Sequence, residues 1–307
     1  MPDRAQAHIS GVRPRNLRSG RRAGELVSVL RQALRYALVA CAALAFAGPA
    51  GAQGKLEARY SASLAGIPIG TGSWVIDISD THYSAAASGT TTGLMRAFTG
   101  GEGTSAAKGT LTGGKPMSSV YAATITTRKK TDEVRLSIAN GDVKNFKLDP
   151  PADDDPERLP ITEEQQHGVL DPMTAMLLRA PGNGDLLTPE ACQRTLAIFD
   201  GRLRYDLQLA YKRMDKVKAE KGYAGPVVVC AVYFSPIAGY IPSRSAIKYI
   251  TKLHDIELWF APMAGTRMLV PFRAQGPTPI GHAVLQATQF VSVPASTRAS
   301  ANGTKTQ

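Results

Sequence analysis

The chain has 307 residues, with 36 Lys and Arg against 25 Asp and Glu and a formal net charge of +11. Residues 1–52 hold eight of the basic residues and two of the acidic ones, so residues 53–307 carry +5. A balance that modest, with no aromatic residues interleaved among the basic ones, excludes a nucleic-acid footprint, and the length suffices for one large domain with its own core.

At the N-terminus, Arg31 and Arg35 precede an apolar run from Tyr36 to Ala47, and Ala50-Gly51-Ala52 forms a small-x-small site ahead of Gln53. The pattern predicts a secretory signal peptide over 1–52, cleavage between Ala52 and Gln53, and a periplasmic product. Roughly 20 apolar residues are needed to span a bilayer, so no stable transmembrane anchor is expected. Arg21-Arg22 lacks the hydrophobic residues that follow a twin-arginine pair.

Residues 53–294 read as a single β-rich domain, with a disordered tail over 295–307. Alternation over 55–65 reaches the glycines Gly66 and Gly70, and Trp74, Ile76 and Ile78 share one face of the next strand. Strands near 81–91 and 104–112 are rich in Ala, Ser, Thr and Gly, a composition suited to close packing or sharp bends. Between them, Leu94, Met95 and Phe98 form an apolar cluster framed by glycines, readable as a mobile lip over a cavity or as a short turn packed on the core. Tyr121-Ala123-Ile125 and Val134-Leu136-Ile138 alternate again, and Asn140-Gly141 is a type I′ hairpin signal. The first half thus predicts a meander of about seven strands.

After a proline-rich acidic connection over 150–168, a helix is expected over about 171–180. Asp171 caps it, Pro172 suits its first position, and Pro181-Gly182 ends it. Met173, Met176, Leu177 and Ala180 fall at i, i+3, i+4 and i+7, and Ala175 and Leu178 make the opposite side apolar, so the helix is expected to be buried. In the second half, Thr195–Phe199 and a long strand from Leu203 to Tyr211 make a hairpin around Asp200-Gly201, and Val227–Phe234 is apolar on both faces, as in a central strand. A turn over 236–242 leads to a short basic stretch through Lys252, and the last strands are Asp255–Ala261, Met268–Ala274 and Gly281–Val293. Cys41 leaves with the signal; Cys192 and Cys230 remain as an even pair in an oxidising compartment, which favours a disulfide over two buried thiols.

Motifs of known chemistry fail on inspection. Gly109–Lys115 has the spacing of a phosphate-binding loop, but Pro116 stands where a hydroxyl must hold magnesium. Asp153-Asp154-Asp155 lacks the spaced ligands and central glycine of a calcium loop, and the histidines are isolated, so neither metal nor cofactor is expected. One polar constellation stays open: Arg202, Arg204 and Asp206 alternate along one strand face, either as an anion grip or as a salt-bridged solvent face.

Asp171-Pro172, Phe199-Asp200-Gly201-Arg202-Leu203-Arg204-Tyr205-Asp206, Cys230 with Tyr233 and Pro236-Ile237-Ala238-Gly239-Tyr240, and Leu258-Trp259-Phe260-Ala261-Pro262 together resemble the secreted proteobacterial domain-of-unknown-function family 3108. The resemblance implies export and assigns no catalytic residue. The expected fold is mainly β, a strongly curved antiparallel sheet or partly open barrel wrapped around one central helix. The expected function is non-enzymatic: binding an amphipathic envelope lipid or glycan fragment, or envelope maintenance. Leu94, Met95, Phe98, Met173, Met176 and Leu177 are the candidate ligand contacts. The alternatives are an envelope glycan hydrolase using paired acidic residues and a structural docking module for a protein partner.

Overall fold

A computed structural model describes residues 53–93, 96 and 100–295; the expected signal peptide, the expected tail beyond 295, and Leu94, Met95 and Phe98 lie outside the described residues. The first half is the expected meander: β1 (Gly54–Leu64), β2 (Ile67–Ile78), β3 (His82–Thr91), β4 (Glu102–Thr112), β5 (Lys115–Thr126), β6 (Thr131–Ala139) and β7 (Asp142–Asp149), each paired antiparallel with the next. Asn140 and Gly141 take φ of 56° and 86°, the conformation a type I′ turn demands.

The long expected helix is a single turn, α1 (Pro172–Ala175), and the sheet surrounds no central helix. Its start follows the sequence: the Asp171 carboxylate accepts from the backbone N–H of Met173 and of Thr174, with Pro172 at the first position. Its end does not, because Leu178–Arg179 form a short strand, β8, on Leu269 and Met268 of β14 (Met268–Thr278), and the Ala180 N–H donates to the Arg267 carbonyl. A backbone ladder to residues about ninety positions away outcompetes a local apolar pattern that could supply only two or three more helical bonds.

The second half adds β9 (Arg194–Phe199), β10 (Arg204–Lys218), β11 (Lys221–Gly222), β12 (Ala224–Ala238), α2 (Ser245–Ile250), β13 (Ile256–Pro262), β14 and β15 (Gly281–Pro294). The sheet order is β7-β6-β5-β4-β3-β2-β1-β15-β14-β13-β12-β10-β9, so the two halves join where β1 pairs with β15. It is antiparallel along this path and is not closed into a barrel, since β7 and β9 are its ends. β11, the tip of the β10–β12 hairpin, curls back to pair parallel with Gln289–Phe290 of β15.

Burial follows strand alternation. Leu56, Ala58 and Tyr60 of β1, Ile76 and Ile78 of β2, and Tyr83 and Ala85 of β3 share one core with Met173, Leu177, Trp259, Phe272 and Phe290. A second core gathers Ala175, Leu178, Cys192, Ile198, Leu209, Val228, Cys230, Leu258, Phe260 and Leu269. β12 supplies Val227 and Val229 to the first and Val228 and Cys230 to the second, as the two-faced apolar run predicts. The Cys192–Cys230 disulfide, with Cα atoms 5.4 Å apart, lies wholly inside the second core.

Candidate functional site

The candidate chemistry concentrates in two places, buried carboxylates and an apolar cavity, and the first of the carboxylates caps α1. Asp171 is fully buried; its Oδ1 accepts from Met173 and Thr174, and its Oδ2 accepts from Ser118 Oγ at 2.6 Å and from the Thr174 hydroxyl, which also bonds the Tyr83 hydroxyl. Desolvation raises the carboxyl pKa even against these donors, and burial beside Asp171 pushes Tyr121 up to about 12. Asp200 is the other carboxylate shifted upward by burial; its Oδ1 accepts from the Arg202 and Leu203 N–H groups and holds the β9–β10 turn. Both carboxylates are consumed in shaping backbone, and neither lines the cavity described next.

That cavity lies where hairpin tips meet. The β1–β2 turn at Ala65 bonds the β14–β15 hairpin through the Ala65 N–H and the His282 carbonyl at 2.8 Å. Beside these tips a cavity of about 840 Å³ is lined by Ala62, Ile69, Ile256, Ala274, Leu285 and the apolar face of α2 and its following turn, which presents Ala246, Tyr249, Ile250 and Leu253. Their spacing of i, i+3, i+4 and i+7 puts them on one side, while Lys248 and Lys252 are exposed. A second apolar space of about 420 Å³ shares Ala62, Ile69 and Leu285 and reaches inward to Tyr60, Trp74 and Ala87. Gly70, Gly72 and Gly89 line the same wall, so the small-residue strands leave volume unfilled there instead of packing closely. The Tyr60 hydroxyl donates to the Pro271 carbonyl, whereas the buried Trp74 indole N–H has no acceptor among the described residues.

The sequence-derived candidates among the described residues fall elsewhere: none of Met173, Met176, Leu177, Arg202, Arg204 and Asp206 lines either space. Met173 and Leu177 enter the first core and Met176 packs on the second, so the three do not share one face. α1 meets β3 near that strand's first residues, through Tyr83 and Thr174. Arg202 sits in the turn before β10 and bonds Asp132 at 3.2 Å and the Pro150 carbonyl at 3.1 Å, while Arg204 bonds Asp206 at 2.6 Å. Both guanidinium groups are therefore engaged within the chain. Among the described residues no cluster of three His, Cys, Asp or Glu side chains could hold a metal ion, and no helix is long and apolar enough to cross a membrane.

The sequence matches the family described as protein of unknown function (DUF3108) over residues 59–288, three quarters of the chain. The chain belongs to the DUF3108 family. No curated protein matches this DUF3108 sequence. Among solved structures it is similar to a crystal structure of a beta-barrel-like protein of domain of unknown function DUF1849 from Brucella abortus, at 8% identity over 78% of this chain and 98% of that chain, with a TM-score of 0.41. In this DUF3108 chain, the cavity residues Tyr60, Trp74, Tyr249, Ile250, Leu253 and Leu285 are not among the sequence-derived candidates. The signal that finds the α2 set is its helical spacing, masked by the neighbouring lysines.

Proposed function

We propose that the protein is exported to the periplasm and there binds, without chemistry, an amphipathic envelope molecule whose apolar part enters the cavity between α2 and the hairpin tips. The observation that carries this reading is the pair of apolar spaces, about 840 and 420 Å³, that share Ala62, Ile69 and Leu285 and are walled further by Trp74, Tyr249 and Ile250. Ligand sites of this kind are typically concave, about 300–1,000 Å³ and mostly apolar, with few polar groups. Neither lining contains an aspartate, glutamate or histidine, which favours binding over an acid-catalysed hydrolysis. The export pattern at the N-terminus makes envelope lipids the accessible source of such a molecule.

Gly89 provides the test. It is outside the positive-φ region, and a Cβ built there meets only the Thr71 carbonyl oxygen, at 3.6 Å. Gly89→Trp should fill the inner space with an unstrained backbone, leave the melting temperature near wild type, and weaken uptake of the hydrophobic probe 1-anilinonaphthalene-8-sulfonate by about tenfold or more. Met176→Trp, outside both linings, should leave uptake unchanged in protein that remains folded. If wild type neither copurifies with a lipid nor takes up the probe, the carrier reading is wrong.

A further inference from the structure

A different concavity, of about 580 Å³, opens where the β4–β5 turn, α1, β8 and β9 meet. Leu177, Leu178 and Leu196 make its apolar wall, and Lys115, Arg179 and Arg194 bring three cations against the single carboxylate of Glu190, a net formal charge of +2. None of the three cations has a carboxylate oxygen within 4.0 Å among the described residues. Arg194 is half-buried, burial alone depresses its pKa, and Nη2 donates to the Arg179 carbonyl at 3.1 Å. Arg179 lies across the β4–β5 turn: a Cβ on Gly114 would stand 2.7 Å from Arg179 Nε, and Gly114 takes φ of +75°. Glycine at this position therefore seats one guanidinium beside Lys115. Clustering like charges around a partly desolvated cleft is unfavourable unless an anion compensates them.

We propose that this cleft binds a phosphate group. Guanidinium forks grip the flat arrays of oxygens on an oxyanion, and lysine adds a point charge. A phosphate monoester near neutral pH carries about −1.5 to −2, which matches the net charge of the lining better than a carboxylate does. The leucine wall gives room for an apolar substituent on that phosphate, so the group can come from a lipid or from a free phosphate. The site is separate from the α2 cavity, with which it shares no lining residue.

Calorimetric titration of the full mature protein at low ionic strength with inorganic phosphate, and separately with monohexyl phosphate, tests the assignment. One-to-one binding is expected, weakened by added salt and reduced about tenfold in Arg179→Gln and further in Lys115→Gln/Arg179→Gln. Tighter binding of monohexyl phosphate identifies a lipid-like source, equal affinities identify free phosphate, and each supports the site. Gly89→Trp should leave phosphate binding intact, while the doubly substituted protein should keep uptake of the hydrophobic probe, so failure of either site is told apart from failure of the other. No binding of either phosphate at concentrations on the order of millimolar, or unchanged affinity in folded Lys115→Gln/Arg179→Gln protein, would overturn the proposal.

Discussion

At Asp171 a carboxylate is buried with four donors around it: two backbone N–H groups and the hydroxyls of Ser118 and Thr174. Removing it in Asp171→Ala deletes the cap of α1 and strands those hydroxyls, a loss of about 2–4 kcal/mol measurable by urea unfolding. Its pKa is raised above 3.8, so the folded chain holds this proton more tightly than the unfolded chain. Stability from this group is therefore greatest below pH 3.8 and declines as pH rises through the folded pKa. Glu257 has the opposite sign. The paired bonds from Arg213, at 3.1 and 3.0 Å, followed by Lys212, hold it below 4.5, so its contribution is present above pH 4.5 and is lost as pH falls through the lowered pKa. Asp171→Asn should flatten the decline above 3.8, and Glu257→Gln should flatten the loss in acid. Urea midpoints against pH that keep the wild-type slope in Asp171→Asn would contradict the assignment.

Among the elements, those set by neighbouring residues were legible in the sequence. The Asn140-Gly141 turn, the hairpin at Asp200-Gly201 and the two-faced strand β12 all stand where alternation and turn chemistry put them. The helix expected over 171–180 was not, because Leu178–Arg179 pair with a strand whose position no local pattern reveals. The same pairing sends Leu177 and Leu178 into different cores and separates Met173 from Met176. The apolar cavity was hidden for a different reason: its inner wall is made of glycine and alanine, and small residues announce either tight packing or empty space until their opposite wall is known. The disulfide was legible from cysteine arithmetic, and its setting sets its worth. Cys192 and Cys230, 38 positions apart, tie the turn after β8 to β12 inside the second core. Chain entropy for a loop of that length gives about 4 kcal/mol, so Cys192→Ala/Cys230→Ala should lower the melting temperature by on the order of 10 °C. A double variant that melts with wild type would show that the unfolded chain gains nothing from the link.

Over the whole molecule the open sheet leaves β7 and β9 as ends, and exposed ends invite pairing with other chains unless they are covered. Here irregular contacts bring them together in place of a continuous ladder. The segment before α1 bridges the gap: the Val169 N–H donates to the Gly141 carbonyl, the Leu170 N–H to Ala197, and the Phe199 N–H to Leu170. Phe146 of β7 meets Phe199 of β9 edge to face at 5.4 Å, and Arg202 reaches Asp132 and the Pro150 carbonyl. Gly201 packs tightly in this seam. Its φ is +91°, and a Cβ there would lie 2.7 Å from Val134 Cγ1, 3.1 Å from Leu148 Cδ2 and 3.3 Å from Leu136 Cδ2. Gly201→Ala therefore pushes the β9–β10 turn away from β6 and β7 and adds backbone strain, together costing about 1–3 kcal/mol. Because a few side chains and three backbone bonds hold the seam, while β12–β14 are laddered on both sides and buried on both faces, opening should begin at the seam. Hydrogen exchange should show β6 and β7 losing protection before β12, β13 and β14, and Gly201→Ala should speed exchange in β6 and β7 while leaving the central strands unchanged. Uniform acceleration across all strands, or central strands that exchange first, would mean that the sheet opens as one unit and that the seam is no weaker than its core.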